Sequence, residues 1–501
     1  MIGKAVGFWL VAVLVGVAAI AFGSVETWAE VWLRFGAVAA FAAVTWSDGP
    51  KTLLRGGAAA LVLPAALLLA WGIVQSLPLP SAVVRALSPR TARLQAETLP
   101  EGGGAALPSF LLSRAPTLGV TVEDGAKLPP GPADPGSRAA RSSLSINPHA
   151  TWNACLSWLT PLLLAFAAER LSRSPSTRYR LLWAIAAWTG VLGAIAVAQS
   201  VSWNERLMWI REIPGNSAPL GPFVNPNHFA GYVELGVLVV VGLLLAIVSE
   251  ADGTLSLAGF REAVMDRGWA LPRLLVLGFL LVLGIYGLVL SGSRGAAVAL
   301  FAGGLVLIPL FHARRWLPVA TVGLVALGLG VGVASWMGRE NHTLQSAFFA
   351  DAANDASLSM RSDIWGRTWR IVVDHPLTGT GMGTFPSAYA SYDREGEWLG
   401  TAQTHDDFLQ FASETGLVGT VLLGWLIVAY AWTVLKPAMQ SGSPRPKWTT
   451  AALAAGCFAM LTHSIIEFNL QVPAVACLFA VLVGALAGAC APATDEDEAA
   501  A

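Results

Sequence analysis

An all-α bundle of about twelve membrane-spanning helices, with a large external loop domain carrying short amphipathic helices, is the fold class this sequence predicts. Three observations predict it. Hydrophobic residues are 55% of the chain and charged residues 13%, against roughly a quarter charged in a soluble domain, and the mean hydropathy is +0.60. Twelve apolar stretches approach the ~20 residues that a spanning helix needs. The basic residues collect in alternate loops, the pattern that orients membrane proteins.

In chain order the stretches lie near residues 5–23, 29–46, 57–77, 152–169, 181–199, 229–249, 274–291, 295–311, 317–337, 416–435, 451–468 and 472–491. Lys51 and Arg55, then Arg170, Arg173, Arg178 and Arg180, then Arg261, Arg267 and Arg273, then Arg314 and Arg315, then Lys436, Arg445 and Lys447 share one side with Lys4. The positive-inside rule makes that side, and both termini, cytoplasmic. Ala19-Ile20-Ala21 fits a signal-cleavage site, but the apolar run is too long for a signal core and a second span follows at once, so an uncleaved first span is expected. Cys155, Cys457, Cys477 and Cys490 sit in apolar segments without metal or disulfide spacing, and are expected to pack as small apolar residues. The net charge of −1 is segregated and says nothing about nucleic acid; no nucleic-acid partner is expected, while membrane lipids are.

These stretches divide the chain. Residues 1–77 hold the first three helices, and 78–151 form an external Pro/Gly-rich loop with an ordered, membrane-hugging start. After about residue 95 that loop has too little apolar surface to fold, so it is expected to be largely disordered. Residues 152–337 hold helices four to nine, 338–415 an external catalytic loop, 416–491 the last three helices and 492–501 an acidic cytoplasmic tail. Residues 200–228, with Trp203, Trp209, Arg206 and Arg211, suit an interfacial segment, and Arg211 is a candidate substrate contact.

The residue types that carry chemistry stand in the external loops. Thr404-His405-Asp406-Asp407 precedes a long apolar run, and an imidazole with an ordinary pKa near 6.5 can take or orient a proton at neutral pH. Ser291-Gly292-Ser293-Arg294-Gly295 places a lone arginine between two spans, against the charge trend of its side; a charge at that depth normally marks a site. Residues 358–374 read as an amphipathic helix with Ile364, Trp365, Thr368, Trp369, Val372 and Val373 at helical spacings, and with Arg361 one turn before Trp365. The arginine serves either lipid phosphate or a site. Asn225 and Asn227 open the sixth span, where amide groups and free helix N–H groups suit an anion; His228 reads as a helix-start residue. Gly379-Thr380-Gly381-Met382-Gly383 lacks the strand and acidic partner of a phosphate cradle and is expected to be a turn packed on the bundle. Gln410 shares a face with Asp406 and can reach sugar hydroxyls. Glu414 faces away from His405 if 405–414 is one regular helix, so a shared role needs a break. His463 and Glu467, four apart on the eleventh stretch, are expected to bond each other inside the bundle.

Taken together, Gly221 to Tyr232, Ser291 to Gly295, Arg361 with Trp365 and Trp369, His375 to Phe385, and His405 to Gly416 resemble the bacterial O-antigen ligase and polysaccharide polymerase family of integral-membrane glycosyltransferases. Residues 21–29, 75–80 and 463–468 add weaker matches, and only about 95–150 falls outside the resemblance. Asp406 departs from the small or amide residue usual after the family's histidine. The resemblance implies an inner-membrane enzyme that transfers glycan, on the periplasmic face, from a polyprenyl-diphosphate-linked donor to an acceptor hydroxyl. Arg294 and Arg361 would neutralise the departing diphosphate, since guanidinium pairs bidentately with phosphate and stays charged, and His405 would act on the acceptor proton. Asn225, Asn227, Gln410, Glu414 and Arg211 would line the substrate. No cofactor or metal is expected, as no Asp-x-Asp pair stands at an external position. The acceptor is a lipid-linked glycan for a repeat-unit polymerase, to which the reading leans because nothing resembles a folded protein-acceptor domain. It is lipid A–core or a protein for a ligase. A chain-length regulator is a further candidate partner. A transporter or flippase, the distant alternative, predicts ionisable residues near the bilayer midplane, and the spans look nearly free of them.

Overall fold

The computed structural model describes residues 2–49, 57–98, 141–212, 219–252, 261, 264–265, 268–307, 356–393, 402–440 and 448–491. The expected span at 317–337, residues 99–140 of the Pro/Gly-rich loop, residues 338–355 and 394–401 of the expected catalytic loop, and the acidic tail lie outside these.

The chain is all-α and polytopic, as the apolar patterning predicts. The long helices are α1 (Ile2–Ile20), α2 (Thr27–Asp48) and α3 (Gly57–Ser76). Two short helices follow, α4 (Ser81–Leu87) and α5 (Pro89–Thr98). Then come α6 (Pro148–Ser172), α7 (Pro175–Val201), α8 (Pro226–Asp252), α9 (Ala270–Ser291) and α10 (Arg294–Leu307). The chain continues with α11 (Ala356–Asp374), the short α12 (Phe385–Tyr389), α13 (Asp407–Gln440), α14 (Trp448–His463) and α15 (Pro473–Cys490). Among the described residues, eight helices are long and apolar enough to cross a membrane.

Local chemistry sets the helix starts. Asn147 accepts from Ala150 N–H ahead of Pro148, and Ser174 accepts from Thr177 N–H ahead of Pro175; each supplies an acceptor for an otherwise orphaned amide, with proline pre-set for the first turn. Asn225 does the same for Asn227 N–H at 2.9 Å before α8. Gly292, left-handed at φ 62°, ends α9, and Ser293 Oγ caps α10 by accepting from Ala296 N–H.

Between helices, α6 packs along α15, α8 against α14 and α9, α10 against α14, and α13 against α3. The α6–α15 contact is the closest. A Cβ at Gly484 would meet Ala165 O at 2.0 Å, and one at Gly488 would meet Glu169 O at 2.2 Å. Two glycines four apart let helix backbones touch where no hydrophobic force drives them together. Tyr232, buried in the middle of the core, donates its hydroxyl to Val15 O at 2.7 Å.

Two differences from the sequence expectation matter for the site. The eleventh stretch does not run as helix to 468: α14 stops at His463, and turns and a short 3-10 helix carry the chain to Pro473. Ionisable groups also lie inside the bundle, because Glu234 of α8 and His463 form a pair at 3.0 Å that is wholly buried. His463 therefore bonds Glu234 rather than Glu467, and the turn after α14 sends Glu467 elsewhere.

Candidate active site

The site assembles at one end of the bundle, where α8 and α10 begin, α11 lies across, the 402–406 loop enters α13, and the α14–α15 junction turns. At its centre is Glu467, only 1% exposed. Its Oε1 accepts from Asn227 Nδ2 at 2.6 Å and pairs with Arg361 Nη2. Its Oε2 lies 3.2 Å from His405 Nδ1. Burial alone would raise the Glu467 carboxyl; the hydrogen bond from His405 and the charge of Arg361 outweigh it and hold the group below the usual carboxylate range.

A carboxylate can only accept, so His405 donates from Nδ1, and in the neutral imidazole the lone pair then stands on Nε2. Among the described residues Nε2 takes no hydrogen bond, and the side chain is 20% exposed. His405 itself is strained. Its φ is +57°, a region that a residue with a Cβ rarely adopts, which costs about 1–3 kcal/mol and persists only where the surroundings over-determine it. Here they do. Thr404 O accepts from Trp365 Nε1 at 3.1 Å, Thr404 N–H donates to Gln410 Oε1 at 3.0 Å, and Asp406 caps α13 by accepting from Leu409 N–H at 2.9 Å. Asp407 fixes the far side: its N–H donates to Ser464 O at 2.9 Å and its Oδ2 accepts from Leu470 N–H at 3.0 Å. The Phe468 ring stands between the edges of His405 and His228, with centroids at 4.8 and 4.4 Å.

The structure thus joins three of the expected residues, His405, Arg361 and Asn227, through a fourth that was assigned elsewhere. Arg361 comes from the inward stripe of α11, with Ile364, Thr368 and Ile371 buried below it, while Trp369 and Val373 are exposed. Of the tryptophans expected to anchor in lipid, Trp365 instead holds the histidine loop. Arg294 is exposed at the first turn of α10. Its neighbour Gly295 has no room for a side chain, as a Cβ there would stand 2.8 Å from His463 Nε2.

The remaining candidates stand around this centre. Asn225 is the α8 cap. Gln410, 2% exposed, is engaged by Thr404, by Gln403 Oε1 at 2.5 Å and by Glu414. Glu414 accepts from the N–H groups of Gly383 at 2.7 Å and Phe385 at 3.1 Å, so it secures the glycine turn, which packs on the bundle as expected. Arg211 pairs with Glu26 and stacks over Phe22 at 5.1 Å, and joins no described contact of Glu467. A cavity of about 40 Å³ between α2, α6 and α15, lined by Glu30, Ser157 and Gln471 among others, holds a few waters' volume and is too small for a sugar. No group of three metal-ligating side chains occurs among the described residues.

Glu467 escaped the sequence reading because helical spacing assigned it to His463. The signal was there: Glu467, Asn469 and Gln471 alternate just before Pro473, a polar stretch that ends a span.

Residues 279–424 match the family of O-antigen ligase domains, a stretch that contains Arg294, Arg361 and His405 but neither Asn227 nor Glu467. No curated protein matches the chain. The match and the apolar helices together indicate an integral inner-membrane protein with glycosyltransferase activity of the O-antigen ligase and polymerase type.

Proposed function

We propose, from the premise that residues 279–424 match the family of O-antigen ligase domains, that the chain builds surface polysaccharide as a repeat-unit polymerase. It moves glycan from a polyprenyl diphosphate to a hydroxyl of a second lipid-linked glycan, on the periplasmic face, with both termini cytoplasmic. The observation that carries this reading is the Glu467-centred cluster, which sets a histidine, its Nε2 unbonded among the described residues, beside a guanidinium.

The acceptor oxygen attacks the anomeric carbon and its proton passes to His405 Nε2. The bond from that carbon to the phosphate oxygen breaks, and the electron pair leaves with the diphosphate. Glu467 holds the imidazole in the tautomer that can take the proton and stabilises the imidazolium that results, as a buried carboxylate does for a catalytic histidine. Arg361 and Arg294 neutralise the charge that builds on the diphosphate. Asn227 positions Glu467, and Gln410 and Glu414 act through the loops they hold. Positive charge fixed in the chain makes the transfer metal-independent.

The test is turnover in proteoliposomes with a polyprenyl-diphosphate oligosaccharide, a chelator and no second acceptor. A ladder of longer lipid-linked glycans, lost in His405→Ala, is the expected result. Intact donor without a ladder, followed by transfer once lipid A–core is added, would make the protein a ligase instead.

A further inference from the structure

One carboxylate serves three donors here, and one of those donors is also assigned to phosphate. Arg361 is 17% exposed and directs Nη2 to Glu467 Oε1, while its Nε is buried without a hydrogen-bond partner among the described residues. A guanidinium that grips a diphosphate bidentately cannot keep full contact with Glu467. When it leaves, Glu467 loses its permanent counter-charge and retains Asn227 and His405. An imidazole beside a carboxylate freed of an arginine is the stronger base, because its protonated form is then favoured.

Arg294 stands exposed at the start of α10, and the other ionisable groups near Glu467 have partners of their own. Asp407 faces Leu470 N–H, Asp406 caps α13, His228 Nδ1 lies 3.0 Å from Asn469 Oδ1, and His463 is sealed against Glu234. Of the described groups bonded to Glu467, Arg361 is the one that combines a fixed charge with partial exposure.

We infer that Arg361, Glu467 and His405 form a donor-sensing switch, in which a bound polyprenyl diphosphate draws Arg361 off Glu467 and leaves that carboxylate to His405. The histidine becomes a strong base only with the donor in place. An empty site is thereby kept from activating water. Glu467 is a positioning residue that carries the signal between the two. The inference rests on the proposed donor chemistry, and its test separates the two.

The probe is geranylgeranyl diphosphate, added to the full chain in nanodiscs, with binding followed by calorimetry. The readout is the pH of half-maximal modification of His405 by diethyl pyrocarbonate, resolved by peptide mass spectrometry. In the wild type the probe raises that midpoint by about one pH unit. In Glu467→Gln the midpoint stays where it is on binding, and in Arg361→Gln it is already raised without the probe. Binding with no shift in the wild type overturns the switch and leaves the donor reading intact. An equal shift in Glu467→Gln also overturns it, since the probe then acts on the imidazole directly. If Glu467→Gln does not fold, an unraised midpoint in Arg361→Gln decides against the switch. Absence of binding removes the donor reading and the switch together.

Discussion

Two histidine–carboxylate pairs lie within one turn of chain from each other, and their surroundings give them opposite characters. His463 and Glu234 are fully buried at 3.0 Å, joining α14 to α8 in the middle of packed apolar side chains. His405 and Glu467 are joined at 3.2 Å across a loop and a turn, with the imidazole partly open and an arginine on the same carboxylate. The inner pair has ideal shelter and no route for a substrate. The outer pair has backbone strain, a third charge and an open nitrogen. Pair chemistry alone therefore does not mark a site; access and a competing charge do.

The comparison can be broken at either pair. The largest effect falls on the outer one: His405→Ala lowers turnover by about 10²–10⁴-fold, the span of general-base contributions, with the melting temperature in detergent nearly unchanged. Comparable activity in that variant would remove the outer pair from the chemistry. At the inner pair, Glu234→Ala leaves an uncompensated buried group and costs on the order of 3–5 kcal/mol of stability. Turnover per folded molecule then stays within a few-fold, measured against a fluorescence-detected count of intact protein. A selective loss of rate at full stability would make the inner pair part of the mechanism.

Arg361→Ala is expected to cost about 10²–10³-fold in rate, and Arg361→Lys to recover part of it, because lysine supplies charge without the bidentate fork. A third histidine sharpens the contrast by pH. His375 closes α11, its Nδ1 3.2 Å from Thr91 of α5; burial pushes it down to about 4, against the pull of Asp374. Its unfolded form takes a proton first as the medium is acidified. The associated stability is complete above about 6.5 and is lost progressively as pH falls toward about 4. Unfolding midpoints of the wild type should fall over that window more steeply than those of His375→Gln. The smallest effect belongs to Asp406→Asn. Asparagine caps a helix as well as aspartate, so turnover and melting temperature should both hold within error.

Periodicity revealed most of the bundle. Eleven of the twelve apolar stretches overlie described helices, and only 317–337 falls outside the described residues. Proline and Asn/Ser caps marked several starts, since their chemistry is local. The site was legible where a residue stands out from its segment, as His405, Arg361 and Asn227 do. It was not legible at Glu467, whose role depends on where α14 stops. That end carries no proline or glycine from 463 to 472, so regular spacing ran on through it. Gln410 and Glu414 show the converse: their polarity suggested substrate, yet folding turned both inward to hold loops.

The break in α13 at Gly416 (φ 63°, ψ −164°) has a further consequence. Leu417 and Val418 N–H groups donate to Pro376 and Leu377 carbonyls, and Ser413 and Glu414 carbonyls accept from Thr380 and Gly381 N–H groups. Peptide groups released on both sides of the break are thus re-bonded by one passing loop, as hydrocarbon surroundings demand. The elbow joins an apolar helix to a polar one through these main-chain bonds, to which the Glu414 carboxylate and the Gln75 amide add their own. The four bonds across the break are made by peptide groups, so they do not depend on which side chains project from 402–413. Side chains facing the candidate site can thus change while the elbow keeps its shape.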